Sequence, residues 1–115
     1  MDDHLHRAII LFNHGEFFRC HEVLEEAWVT ASGPRRLFLQ SLIHCAVGFC
    51  HHQRGNTAGA TSQLRKGLDK LAACRPLAGA IGTQRWEQDI LAALARIEAG
   101  STLSAYPQIH ARRQD

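Results

Sequence analysis

The four cysteines of this 115-residue chain, Cys20, Cys45, Cys50 and Cys74, include no Cys-x-x-Cys pair, which removes the usual zinc-ribbon and thioredoxin-type readings. No block of one charge sign exists either. The 13 basic and 11 acidic residues are scattered and leave a net charge of +2, so no nucleic-acid or membrane-surface patch is indicated. The most apolar run, residues 37–50, is shorter than the ~20 residues a bilayer requires and is interrupted by Gln40 and His44. The opening Met1-Asp2-Asp3-His4 lacks the basic and apolar stretches of a secretory leader. A cytoplasmic chain with reduced, mostly buried thiols is therefore expected, with neither nucleic acid nor membrane as partner. A glycine-rich nucleotide loop and a serine-hydrolase string are also missing.

What is present is helical. No segment alternates with the period of two that marks a half-buried strand. Breakers at Gly15, Gly33-Pro34, Gly55-Asn56, Pro76, the Gly79–Gly82 region and Gly100 separate five helix-length segments, over 3–13, 16–31, 35–54, 56–73 and 84–99, with Thr83 as the cap of the last. An internal repeat runs through them. Gly15-Glu16-Phe17-x-x-Cys20-x-x-x-Leu24-x-x-Ala27 aligns with Gly55-Asn56-Thr57-x-x-Ala60-x-x-x-Leu64-x-x-Gly67. Each copy has a glycine for a tight turn, then a small residue that admits a close helix neighbour. The spacing resembles the tetratricopeptide helix pair. The expected fold is all-α: a five-helix bundle of two stacked tetratricopeptide-like hairpins, closed by a C-terminal helix with the stripe Trp86, Ile90, Leu94 and Ile97. Residues 1–100 form the single domain, and 101–115 an extended C-terminal tail in which Tyr106-Pro107-x-Ile109 docks on the body.

The second segment carries an apolar face of Phe17, Cys20, Leu24, Ala27, Trp28 and Ala31. His21 sits at its edge with Glu25 one turn on, while Arg19, Glu22 and Glu26 point to solvent. The third segment is apolar around most of its circumference, and its remaining stripe is Gln40, His44, Val47 and His51. A solvent-facing stripe would more often hold Lys or Glu, so this one is expected to face a neighbouring helix or a shallow groove. One reading gathers His21, Glu25, Gln40, His44 and His51 into a buried hydrogen-bonded network that sets helix register. Another makes them ligands of a divalent metal, with Glu22 or Glu25 as a catalytic base. His44 and His51 lie about 10.5 Å apart along a helix axis, too far for one ion with ligand bonds of ~2 Å. A mononuclear site would thus use His21, Glu25 and His44. Trp28 reads as a core anchor with its indole donor satisfied, Arg35-Arg36 as a solvent-facing helix start, His51-His52 beside Arg54 as a helix end, and Gly55-Asn56 as turn and cap.

Phe12-Asn13-x-Gly15-x-Phe17-Phe18-x-x-His21-Glu22-x-Leu24-Glu25-x-x-Trp28 resembles the signature of small helical prokaryotic proteins grouped as domain of unknown function family 309. A second block agrees: Phe38-Leu39-Gln40-x-Leu42-Ile43, Ala46-Val47, His51 and Gly55-Asn56-x-x-Gly59-Ala60. The resemblance covers residues 12–71 and implies a helical bundle with no settled activity. It marks Phe12, Asn13, Gly15, His21, Glu22, Glu25, Trp28, Gln40, His51, Gly55 and Asn56 as motif positions. Arg19, Ser41 and His44 depart from it, standing where an acidic residue, glycine and glutamine are usual. His51 thereby gains weight as a partner of Glu25.

A binding or interaction module is the leading functional expectation, with its surface on a concave face between the first and third helices. The alternative is a metal-binding protein or metal-dependent hydrolase using His21, Glu25 and His44 or His51. A homo-oligomer that covers the apolar third helix is a further possibility.

Overall fold

A computed structural model describes residues 3–74 and 83–110, and the helix breakers expected at Pro76 and Gly79–Gly82 fall outside them. The described residues form five helices and no strand: α1 (Asp3–Asn13), α2 (Phe17–Thr30), α3 (Gly33–Gln53), α4 (Thr57–Cys74) and α5 (Thr83–Glu98). Among these residues no helix is long and apolar enough to cross a membrane.

The starts of α2 and α4 fall one residue later than the sequence reading places them, at Phe17 and Thr57, and those of α3 and α5 fall earlier. Helix α3 begins at Gly33-Pro34 instead of after them. A proline in the first turn lacks only an amide that has no helical acceptor, so it starts a helix as readily as it stops one. Thr83 is the first residue of α5, not its cap.

Apolar spacing explains how the helices face one another. Leu5, Ala8, Ile9 and Phe12 recur at three- and four-residue steps and are the buried side of α1. On α5 the buried stripe is Trp86, Ile90, Ala93, Leu94 and Ile97. Helix α3, 21 residues and therefore about 32 Å long, nearly matches the 37 Å long dimension of the molecule. Each helix packs on the next in sequence. Neighbours α2 and α4 cover α3, which accounts within the chain for an apolar surface that runs around it.

Small residues set the closest approaches. The Cys20 thiol donates to the Ala8 carbonyl at 3.3 Å, tying α2 to α1. At the α3–α4 crossing a side chain on Gly48 would meet Leu64 at 3.0 Å and the Ala60 carbonyl at 3.2 Å. One on Gly67 would meet Cys45 Sγ at 2.8 Å and the Ser41 carbonyl at 3.1 Å. Burial pushes the Cys20 and Cys45 thiols up to about 12, because a thiolate would lose its hydration. All four cysteines are free.

The core closes around aromatic rings. Phe12 meets Phe17 at 4.9 Å, Trp86 at 5.3 Å and Phe49 at 5.9 Å, each edge to face, so one ring joins α1, α2, α3 and α5. Such pairs add about 0.5–1.5 kcal/mol each beyond their buried area.

Candidate interaction site at the turn end of the bundle

Helices α1, α3 and α5 end at the same end of the bundle, each in a glycine with positive φ: Gly15 (75°), Gly55 (76°) and Gly100 (85°). The closures match. The amides of Glu16, Asn56 and Ser101 reach back to the carbonyls of Leu11, His51 and Arg96, and the glycine amides to Phe12, His52 and Ile97. This double bond pattern satisfies the orphan carbonyls of a helix end and needs a left-handed residue, which glycine supplies without strain. Asn56 then caps α4, its Oδ1 accepting from the Gly59 amide at 2.9 Å. Gln53 Nε2 donates to the Gly15 carbonyl at 3.0 Å, fastening the first turn to the end of α3.

Across this end runs an extended segment, residues 101–110, with neither helix nor strand. Leu103 and Ile109 are buried, at 8% and 4% exposure. Asn13, the last residue of α1, holds the backbone of Ile109 from both sides. Its Oδ1 accepts from the Ile109 amide at 2.7 Å and its Nδ2 donates to the Ile109 carbonyl at 3.0 Å. The Tyr106 ring packs on Phe17 at 5.0 Å and Phe49 at 5.2 Å, and its hydroxyl lies 2.6 Å from His52 Nδ1. The Leu103 amide points at His52 Nε2, 3.5 Å away. His52 thus meets the segment with both ring nitrogens, Nδ1 at the Tyr106 hydroxyl and Nε2 at the Leu103 amide. Burial raises the Tyr106 hydroxyl above its ordinary pKa, which keeps that oxygen protonated and neutral.

The space between α1 and α3 at this end is thus filled by the Phe12–Phe49 contact and by Tyr106, where sequence reasoning expects an open concave face. Beside the segment, a hollow of about 310 Å³ remains against α5, walled by Asp89, Ala92, Ala93 and Arg96 and by Ala105 and Tyr106 of the segment.

The histidines and carboxylates singled out in the sequence are dispersed. His21 bonds through Nδ1 to the Phe18 carbonyl of its own helix, and its Nε2 lies 3.9 Å from Glu25 Oε1. Glu22 is exposed. His44 Nδ1 bonds to Gln63 Oε1 of α4 at 2.8 Å, and with Gln40 it lines a depression of about 480 Å³ between α3 and α4. His51 sits at the Gly55 turn, 3.3 Å from Asn56 Nδ2. Among the described residues no three His, Cys, Asp or Glu side chains come together as metal ligands would. The mononuclear set of His21, Glu25 and His44 is not assembled, and nothing brings His51 to Glu25. The helices put these residues on different flanks of α3, a relation that angular position on a single helix does not contain.

Trp28 also departs from expectation. Its indole Nε1 is buried without a hydrogen-bond partner, and the Arg36 guanidinium lies over the ring at 3.7 Å. Arg36 Nη1 also donates to the Trp28 and Ala31 carbonyls, at 3.3 and 3.2 Å. The cation stacks on an aromatic face and neutralises the carbonyl end of α2 in one placement.

Sequence reasoning missed His52, which a helix-ending reading of His51-His52 obscures. It marks Asn13 only as a motif position.

The model of a domain of unknown function (DUF309) matches residues 5–63, half of the chain. This chain belongs to the DUF309 family. It is also similar to the uncharacterized protein YpuF of Bacillus subtilis (strain 168), with 37% identity over 59 residues, 50% of this chain and 34% of that protein. The chain therefore spans about a third of the length of that relative. Within the DUF309 match lie Asn13, Phe17, Phe49 and His52, whereas the segment they hold lies beyond it.

Proposed function

We propose that this DUF309 chain is a protein-interaction module: a scaffold of stacked, tetratricopeptide-like helix pairs that binds an extended peptide at its turn end. The observation that carries the reading is the paired hydrogen bond of Asn13 to the backbone of Ile109. A side-chain amide that satisfies one residue's N–H and C=O together imitates a neighbouring strand, the physics by which extended peptides are recognised on sheet edges. It reads backbone and so accepts many sequences. The aromatic cradle of Phe17 and Phe49 and the imidazole of His52 add side-chain selection. These walls come from three helix ends that the glycine turns and Gln53 hold in place, so the site is preorganised and little ordering entropy is lost on binding.

The test uses the full chain with its own segment loosened by Tyr106→Ala and Ile109→Ala. A fluorescent peptide of residues 101–110 is expected to bind it saturably, and adding Asn13→Ala on that background weakens binding by about tenfold or more, the value of two modest hydrogen bonds. No saturable binding by a loosened chain that remains folded overturns the reading.

A further inference from the structure

The segment that fills the groove fits it in some places and not in others. Leu103 and Ile109 are buried, and Tyr106 is ringed by Phe17, Phe49 and His52. Pro107 fixes the backbone after the tyrosine near the polyproline conformation, so this stretch gives up little freedom when it docks. Between these anchors the fit fails. Ser104 and Ala105 are exposed, and Ala105 borders the hollow of about 310 Å³ against α5. Its α5 wall is formed by Ala92 and Ala93 together with Asp89 and Arg96, one charge of each sign. The hollow is open to solvent, and beside the two alanines it has room for an aliphatic side chain larger than alanine.

The connection to the body is also short. The segment leaves α5 at Glu98 and is already buried at Leu103. A tether of a few residues keeps the segment at an effective concentration on the order of millimolar, which lets a mediocre ligand occupy its own groove.

Resting on the interaction reading above, we infer that residues 103–109 are a built-in competitor for the groove. Its partner is an extended segment of another protein with the pattern aliphatic-x-aliphatic-Tyr-Pro-x-aliphatic. The third residue of that pattern fills the hollow that Ala105 leaves open. The chain's own segment then sets the threshold a partner must exceed. Apparent affinity equals intrinsic affinity multiplied by the fraction of grooves that are open.

This competition has a consequence that a simple open site lacks. Asn13 holds the resident segment and an incoming peptide alike. In the otherwise native chain Asn13→Ala weakens both by the same factor, and the apparent affinity for peptide stays nearly constant. On the segment-loosened background the same substitution lowers affinity directly.

The experiment titrates two fluorescent peptides, residues 101–110 and the same peptide with Ala105→Leu, into four full-length chains. These are the native chain, the Tyr106→Ala/Ile109→Ala chain, the Asn13→Ala chain, and a chain carrying Ala105→Leu in its own segment. The loosened chain is expected to bind the parent peptide about tenfold or more tightly than the native chain does. The leucine peptide gains about a further tenfold from its buried carbons. The chain with Ala105→Leu closes its own groove and binds either peptide about tenfold more weakly than the native chain; this arm decides the matter if the loosened chain does not fold. Equal binding to the native, loosened and Ala105→Leu chains overturns the competitor and leaves the interaction reading standing. Absence of peptide binding by a folded loosened chain overturns both. If the loosened chain instead forms a dimer whose population rises with concentration, a second copy is the occupant and the external partner is refuted.

Discussion

Replacing Gly67 by alanine sets two effects of opposite sign against each other. Gly67 lies inside α4, where alanine is favoured over glycine by about 1 kcal/mol because it loses less backbone freedom. Packing opposes that gain. The new methyl would stand 2.8 Å from Cys45 Sγ, 3.1 Å from the Ser41 carbonyl oxygen and 3.4 Å from His44 Cβ. The first two belong to residues of 1% or less exposure on α3, and the carbonyl is helix backbone. Neither can swing aside, so α3 and α4 must separate by several tenths of an ångström along a tightly packed seam. Overpacking of this kind costs ~1–3 kcal/mol. Net destabilisation of up to about 2 kcal/mol follows, lowering Tm by up to roughly 12 °C for a domain of this size. Urea denaturation of Gly67→Ala measures it. Adding Cys45→Ala removes the sulfur at the shortest contact and is expected to recover part of the loss, a coupling that independent sites would not show. A more stable Gly67→Ala protein would mean that helix propensity dominates and that the two helices do not approach as closely as described.

Other expectations follow from single contacts. Arg36→Ala removes the cation over Trp28 and two donors to the end of α2, so a loss of about 1–2 kcal/mol in urea is expected, whereas Arg36→Lys restores only part because an ammonium neither stacks nor forks. The buried Cys20 and Cys45 thiols should resist a thiol reagent in the folded chain and react on unfolding. Their folded pKa is raised to about 12, so the folded state keeps protons that the unfolded chain releases above its ordinary thiol pKa of 9.0. This contribution is complete below pH 9 and is lost as pH rises towards 12, and removing both thiols should flatten stability over that range. His52→Ala should free Leu103 and Tyr106 from the end of α3 and raise Tyr106 accessibility, read by iodination or quenching, while helix content stays unchanged.

The parts of the fold legible in sequence are those decided by neighbours in the chain. Gly15 and Gly55 announce turns because a helix that must close on itself needs a residue with positive φ. Asn56 announces a cap because its partner, the Gly59 amide, is three residues away. The small residues Cys20 and Ala60 mark close approaches because any larger side chain would hold the helices apart. What sequence does not disclose is the identity of long-range partners. His44 carries the right angular position to leave the apolar face of α3, yet its partner is Gln63 on the next helix, not His21 or Glu25. Asn13 stands in the motif, but the backbone it holds is 96 residues further along. His52 is one of two adjacent histidines at a helix end, and only the docked segment distinguishes it from His51. Trp28 is recognisable as an anchor, while its unpartnered indole and stacked guanidinium depend on how the α2–α3 connection brings Arg36 back over the ring.

Asn13 holds the extended segment in its groove, and amide hydrogen exchange of the native and Asn13→Ala chains, followed residue by residue, reads that hold. Loss of two hydrogen bonds near 1 kcal/mol each should speed exchange at Leu103 and Ile109 by roughly tenfold to thirtyfold, with α3 and α4 nearly unaffected. Unchanged exchange at Ile109, or acceleration spread evenly over the whole bundle, would show that Asn13 does not hold the segment and would remove the basis of the interaction reading.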